Sequence, residues 1–482
     1  MTNLKIVPVN DVYVRIKCDD GIARALQDKF SFEIPGARFH PAVKARRWDG
    51  ILKLFHLRTH LLYRGLVSYV VEFCKTHQLS YEIDPVLIPK PHYTKDRVAE
   101  FLTSLKLPKK FGLREYQVEA FIRCVNNGRG LFVLPTGSGK SLVIYWLVRW
   151  FQKRTLIIVD SLNLIHQMQS DFQDYGFTAD HVHLFYYGQK KDTAKPIVLT
   201  TWQSAVKQPK SWFQQFKLVI GDEAHQYEAK SFKTIMESLK DCPYRFGFTG
   251  TLTGTATNQM VLEGLFGKYH KLVSTKDLID QGHLSEIDIT CAILKYPKAD
   301  RKELSGVKYS EELDFLYEHE GRNAFIRKLA YSLKGNTLVL FQRVEQHGIP
   351  LYKALQEETT TPVYYVSGMI DGIEREEIRK IVNEHKQSIT VASVGTFSRG
   401  VNIPNINNII FASPSKSQVR VLQSIGRGLR KSKSKTSCKI YDIADDLSLG
   451  KHKNFTLKHF IHRLEMYVKE DFAYKTYSIP LD

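Results

Sequence analysis

The stretch LPTGSGKS, Leu134 to Ser141, carries the residue types that hold a polyphosphate. Gly137 and Gly139 bare backbone N–H groups to phosphate oxygens, Thr136 and Ser138 complete the turn, and Lys140 and Ser141 add a cation and a hydroxyl. Leu134 stands where the first glycine of the strict G-x-x-x-x-G-K-[ST] string belongs, while the G-x-G-K-S core is intact. Such a loop holds ATP or GTP: Lys140 would neutralise the β- and γ-phosphates and Ser141 would ligate Mg²⁺. Asp222 and Glu223, in VIGDEAH, close an apolar run, and strand ends are where α/β sheets place their ligands. Asp222 would hold Mg²⁺, and Glu223 would orient and deprotonate the attacking water. Further on, QSIGRGLR sets Gln423, Arg427 and Arg430 at the spacing Q-x-x-G-R-x-x-R. Arg427 and Arg430 are three apart, hence on one side if the segment is helical, and could bridge a transferring γ-phosphoryl as arginine fingers, worth about 10³ to 10⁵ in rate. Residues 416 to 439 hold eight Lys/Arg and no acid, so part of this run also suits nucleic-acid contact or plain solubility.

These groups need elements to position them. Short β-branched runs, each followed by a helical pattern, recur at 131–134, 155–160, 196–201, 217–223 and 245–251, the pattern of parallel strands buried on both faces. A second series runs through 336–342, 362–368, 388–393, 407–413 and 438–445. Two similar α/β sheets in tandem are expected. Residues 286–325 turn polar and charged and read as a connection, which puts a boundary near 290. The first 90 residues have shorter alternating runs, and PVLIPKPHYT (85–94) reads as a linker.

The balance of 69 Lys+Arg against 50 Asp+Glu gives a net charge of +19, which favours a polyanionic partner, nucleic acid first. No apolar stretch approaches the ~18 residues that a membrane span needs, and the N-terminus lacks a signal-peptide core, so cytoplasmic work is expected. Six scattered cysteines show no C-x-x-C pair and read as reduced and mostly buried. Residues 36–66 hold seven Lys/Arg against one Asp. There Arg38, Arg46, Arg47 and Arg58 interleave with Phe39, Trp48 and Phe55, which would let charges grip a backbone while rings stack at a branch point. The other reading is a small accessory domain with Trp48 in its core and solvated arginines. On the first reading, removing residues 1–90 leaves strand-stimulated ATP hydrolysis but abolishes preference for forks and junctions.

LREYQ (113–117), LPTGSGKS, TTWQS (200–204), GDEAH, FTGTL (248–252), TFSRGVNIP (396–404) and QSIGRGLR occur in the order of the superfamily 2 helicase motifs, which they resemble jointly. The N-terminal FSFEIPGARFHP…RRWDG, with TTWQSAVKQPKSWFQQF and VLQSIGRGLRK, extends the resemblance to the UvsW-type recombination helicases of T-even bacteriophages over nearly the whole chain. It implies two tandem RecA-like parallel-sheet domains behind a small α+β N-terminal domain. Residues 1–90 would select the substrate, 91–289 would form the ATP-binding domain with motifs Q to III, and 290–482 the domain with motifs IV to VI. Gln117, helped by Arg114, would read the adenine. Thr249 and Thr251 look like the third motif, His225 would share its coupling role, and Gly400 belongs to the fifth, where Asn402 replaces a common Asp. Thr201, Trp202, Thr396 and Arg399 would line the strand track, and Arg46, Arg47 and Trp48 would contact branched DNA.

The expected activity is ATP-driven unwinding or migration of forks, Holliday junctions and R-loops, hence DNA and RNA–DNA hybrids as partners, by a monomer. Three readings stand beside it: a duplex translocase of a restriction or remodelling system, an RNA helicase, and a nucleic-acid clamp that uses ATP as a switch.

Overall fold

The computed structural model describes residues 2–34, 36–89, 93–186, 193–224, 229–250, 256–399, 405–414, 417–429, 435 and 437–481. Of these, the side chains at 229, 256, 257, 372, 373, 398, 399, 418–420 and 423 lie outside the description. The chain packs as two compact units, Met1–Leu134 with Gly139–Val273, and Pro135–Ser138 with Ser274–Asp482.

The first unit opens with a small α+β module. Its strands are β1 (Leu4–Pro8), β2 (Tyr13–Lys17), β3 (Ser31–Glu33), β4 (Ile51–Lys53), β5 (Leu61–Tyr63) and β6 (Tyr81–Ile83). Four of them form a sheet in the order β5-β2-β1-β6, antiparallel except for β1 and β6, and β3 and β4 form a separate ribbon. Alternation decides the inner face: Leu4, Ile6, Val14 and Ile16 are fully buried, while Lys5, Arg15 and Lys17 face out. Phe55 is fully buried in this core. That corrects the expectation that it stacks on DNA, because a ring inside the core has no face left to offer.

A seven-stranded sheet follows: β7 (Arg129–Val133), β8 (Thr155–Val159), β9 (Val182–Phe185), β10 (Ile197–Thr201), β11 (Leu218–Asp222), β12 (Tyr244–Thr249) and β13 (Tyr269–Lys271). Its order is β13-β7-β12-β11-β8-β10-β9, with every pair parallel. One continuous core joins Leu4, Phe30, Phe55 and Leu66 of the small module to Leu131, Phe232, Ile235 and Phe266 of this sheet domain.

The second unit holds another seven-stranded parallel sheet: β14 (Glu286–Lys295), β15 (Asn336–Phe341), β16 (Val363–Val366), β17 (Ser388–Ser393), β18 (Asn408–Phe411), β19 (Ser437–Asp446) and β20 (Tyr474–Pro480). The order is β16-β17-β15-β18-β19-β14-β20. Residues 286–325, expected to be a connection, are instead built into this domain. β14 pairs along its whole length with β19, and Ile289, Cys291 and Leu294 are fully buried. Polar residues at alternate positions hid the strand, since a strand next to the sheet edge keeps one wetter face. The remainder of the stretch is helical, at Lys298–Glu303, Tyr309–Glu318 and Glu320–Ser332, and it supplies Arg322, which pairs with Asp445 at 2.8 Å with both side chains fully buried.

Among the described residues, no helix is long and apolar enough to cross a membrane. Five of the six cysteines are buried, Cys18 is half-buried, and all are free thiols.

Candidate nucleotide site and strand track

The centre of the first sheet builds the site. β7, β12 and β11 lie side by side and parallel, so the segments that leave their C-terminal ends meet at one edge. β7 leads through Leu134 into the phosphate turn and the helix Lys140–Phe151. The Leu134 N–H donates to the Thr249 carbonyl at 2.9 Å, which ties the start of that turn to the end of β12. Gly137 and Gly139 have φ of 83° and 82°, a left-handed backbone open to glycine at no steric cost. Gly139 is required a second time: a Cβ there would stand 2.4 Å from the Gln117 amide nitrogen.

β11 ends in Asp222, and Glu223 follows with φ of 54°, strained for a side chain with a Cβ. The Glu223 N–H donates to Asp222 Oδ1 at 3.0 Å. Its own carboxylate is held at both oxygens: Lys140 Nζ lies 3.1 Å from Oε1, and the Gly250 N–H donates to Oε2 at 3.3 Å. Lysine and glutamate are both largely buried here, so the pair is little screened. Asp222 is buried, and burial, then the neighbouring Glu223 charge, pushes its carboxyl up to about 7. A cation at this place would reverse that shift.

The Ser141 hydroxyl meets the Tyr175 hydroxyl at 3.0 Å. Tyr175, just past the helix Leu162–Asp174, has no signature in the sequence near the phosphate loop. Gln117 is buried in the helix Glu115–Asn127, and its Oε1 accepts the Arg114 N–H at 3.3 Å. Arg114 also donates to the Tyr116 hydroxyl at 2.8 Å. Thr136 is half-buried and Ser138 buried within the turn.

Thr201, at the end of β10, caps the short helix Trp202–Ala205 by accepting the Ser204 N–H at 3.3 Å, and the Trp202 indole N–H donates to Asp160 at 3.2 Å. In the second unit, the Ser393 hydroxyl at the end of β17 donates to Thr396 at 2.7 Å and accepts the Thr396 N–H. Arg427 is buried in the helix Gln418–Gly428. That helix ends at Gly428, and Arg430 lies outside the described residues. Lys435 is buried and its ammonium caps the Gly428 carbonyl, which takes it out of any solvated basic loop. Arg430, His225, Thr251, Gly400 and Asn402 lie outside the described residues, as do the side chains of Gln423 and Arg399.

In the N-terminal module, Arg38, Arg46, Arg47 and Arg58 are exposed, and Phe39 is 64% exposed with the Arg38 guanidinium 4.8 Å from its ring centre. Trp48 is half-buried; its indole N–H donates to the Ile51 carbonyl at 3.1 Å and its ring meets His40 edge-on at 5.5 Å.

Three family descriptions match along the chain: "DNA helicase UvsW, N-terminal" at residues 4–84, "Type III restriction enzyme, res subunit" at 110–254 and "Helicase conserved C-terminal domain" at 321–432. The "ATP-dependent DNA helicase uvsW" of Enterobacteria phage T4 is 34% identical over 494 residues, covering 97% of this chain and 98% of that protein. The "DNA 3'-5' translocase XPB2" of Sulfurisphaera tokodaii is 25% identical over 389 residues, 73% of this chain and 86% of its own. The crystal structure of T4 UvsW covers 100% of both chains at 34% identity with a TM-score of 0.53. With its RecA-like pair of parallel sheets and its N-terminal module all accounted for, the chain belongs to the UvsW family of ATP-dependent DNA helicases.

Proposed function

We propose that this protein burns ATP, with Mg²⁺, to move along DNA at branch points, remodelling forks, four-way junctions and R-loops as a monomer in the host cytoplasm. The observation that carries the reading is the grouping of Lys140, Asp222 and Glu223 at one sheet edge, with Lys140 and Glu223 3.1 Å apart.

Without nucleotide, Glu223 neutralises Lys140. Incoming phosphates compete for the ammonium and free the carboxylate to turn to water as general base. Backbone N–H groups at Thr136, Gly137, Ser138 and Gly139, with the first turn of the helix Lys140–Phe151, cradle the phosphates. Ser141 and Asp222 are oxygen donors only, which fits a hard divalent cation. Held there, Mg²⁺ would supply charge neutralisation for the polyphosphate. Gln117 and Arg114 take the adenine edge. By their motif, Gln423, Arg427 and Arg430 are the residues that would answer the γ-phosphate.

Thr201, Trp202, Thr396 and Arg399 line the strand track, and Arg46, Arg47 and Trp48 grip the branch. Residues 1–90 act as the substrate-selecting domain, 91–289 and 290–482 as the two motor domains. Opening DNA costs about 1.4 kcal/mol per base-pair step on average, so directional progress needs the hydrolysis cycle. RNA–DNA hybrids enter through R-loops, because phosphate contacts alone do not read the sugar.

The test is processing of labelled forks, four-way junctions, R-loops and linear duplexes with ATP. Branched substrates should be resolved faster than linear ones, and Lys140→Ala should resolve none. Equal processing by Lys140→Ala sinks the site assignment. The match of residues 110–254 to a restriction-enzyme subunit supports a second reading, a duplex translocase that leaves strands paired. Displacement of a third strand from linear duplex, with forks left intact, would favour it.

A further inference from the structure

The N-terminal module does not touch the first motor domain at random places. Tyrosine contacts from the module fall on two helices, Ala229–Ser238 and Ala256–Phe266, while Asp11 bonds Lys240 and Arg129 beside them. The first follows Asp222 and Glu223 in the chain, and the second follows Thr249 and Gly250.

On the first helix, Glu237 Oε1 accepts from the Tyr13 hydroxyl at 2.5 Å and from the Tyr63 hydroxyl at 2.7 Å. The two tyrosine rings stack, with centres 5.2 Å apart. On the second helix, Glu263 is fully buried and accepts from the Tyr69 hydroxyl, at 2.9 Å to one oxygen and 3.1 Å to the other. Gln259 and the Tyr269 N–H complete its shell at 2.8 and 3.2 Å. Between these two joints the backbones themselves touch. A Cβ on Gly65 would stand 1.9 Å from the Glu263 carbonyl oxygen, and one on Gly264 would stand 2.9 Å from the Tyr63 ring. Such a contact leaves no slack for sliding.

Burial, and then the facing carboxylates, raise the hydroxyl pKa of Tyr69; burial and Glu237 do the same for Tyr13 and Tyr63, so all three remain donors at any working pH. Apolar packing would glue the module on at less desolvation cost. Directional hydrogen bonds to two buried or half-buried carboxylates make the joint sensitive to orientation instead.

We infer that Tyr13, Tyr63 and Tyr69 are positioning residues through which the DNA state of the N-terminal module sets the geometry of Glu223 and of the Thr249–Gly250 turn, and hence the rate of ATP hydrolysis. The Gly250 N–H donates to Glu223, so the residues that precede the two helices in the chain already share one carboxylate. The inference rests on the reading that residues 1–90 select the substrate. Energetic coupling between two sites of one protein is typically about 5- to 150-fold in effect.

The experiment uses the full chain as parent, Tyr69→Phe, Tyr13→Phe with Tyr63→Phe, and Arg46→Ala with Arg47→Ala. For each, forked and linear single-stranded DNA are compared by anisotropy with a non-hydrolysable ATP analogue and by ATP turnover, and melting is recorded. The tyrosine variants should bind forks with the parent's Kd and turn over ATP on linear DNA at the parent's kcat. Their fork-to-linear kcat ratio should fall about fivefold or more. A ratio within twofold of the parent overturns the inference, and so does an equal fall on both DNAs, which a loosened fold alone would give. Should the double variant melt early, Tyr69→Phe, which removes one hydroxyl, decides by the same ratio. If the arginine variant keeps the parent's fork preference, or the parent has none, the substrate-selection reading fails and takes the inference with it. A lost preference in the arginine variant beside parent-like tyrosine variants overturns the inference alone.

Discussion

Glu223 is the counter-charge of Lys140 in this structure, and in the proposed cycle it then serves as the base for water. Glu223→Gln keeps the shape and removes the charge. Its kcat should drop about 10²- to 10⁴-fold, the usual worth of a general base. Nucleotide affinity should hold or rise, because phosphates no longer displace a carboxylate from Lys140. Single-turnover hydrolysis and titration with a fluorescent ATP analogue check both, and a tenfold loss of binding would contradict the arrangement. These residues are legible in the sequence because a short string fixes their geometry: two left-handed glycines, a helix start, a carboxylate at a strand end. Tyr175, which meets Ser141, is not legible. It arrives from the end of another helix, and no local rule ties that position to the phosphate turn.

At the scale of elements, the second sheet domain carries a buried histidine that the motor chemistry does not use. His347, in the short π-helical turn Val344–Gly348, bonds Ser413 through Nδ1 at 3.0 Å and stacks on Tyr317 at 4.7 Å. Burial, then the nearby Arg322 charge, pushes it down to about 3. An unfolded histidine titrates near 6.5, at about that pH and below it the unfolded chain takes up a proton that the folded one refuses. The stability held by neutral His347 is therefore complete above that pH and lost as pH falls toward 3, at about 1.4 kcal/mol per pH unit. His270, pushed down to about 4 by burial and then Arg123, acts with the same sign in the first unit. Denaturant titration at pH 7 and pH 5 should show the second domain weakened at pH 5, with a smaller difference in His347→Asn, whose amide can still meet Ser413. An unchanged difference would remove His347 from the account. Strands such as β8, β11 and β15 are legible because burial on both faces leaves an unbroken apolar run. β14 is not, since its alternation of polar and apolar residues gains meaning only from lying between β19 and β20.

At the scale of the whole molecule, the N-terminal module is no detachable accessory. It shares a core with the first sheet domain and supplies tyrosine partners to Glu237 and Glu263. Removing residues 1–90 should therefore uncover apolar surface and take the Tyr69 hydroxyl from Glu263, giving early melting and aggregation rather than a clean motor without substrate preference. Scattering and melting curves of the truncated chain check this, and a soluble truncation with the parent's melting temperature would refute it. The expectation that the motor would survive such a cut came from composition, which sees the linker-like prolines of 85–94 and not the packing on either side. The sequence by itself determined the nucleotide chemistry, the two parallel sheets and the family, since those depend on neighbours within a few residues and on the order of short strings. Only the tertiary structure decided that Phe55 is core, that β14 completes the second sheet, and that the first module packs against the helices Ala229–Ser238 and Ala256–Phe266. Each of those depends on pairings between segments far apart in the chain, where burial and backbone register make the choice and no local pattern records it.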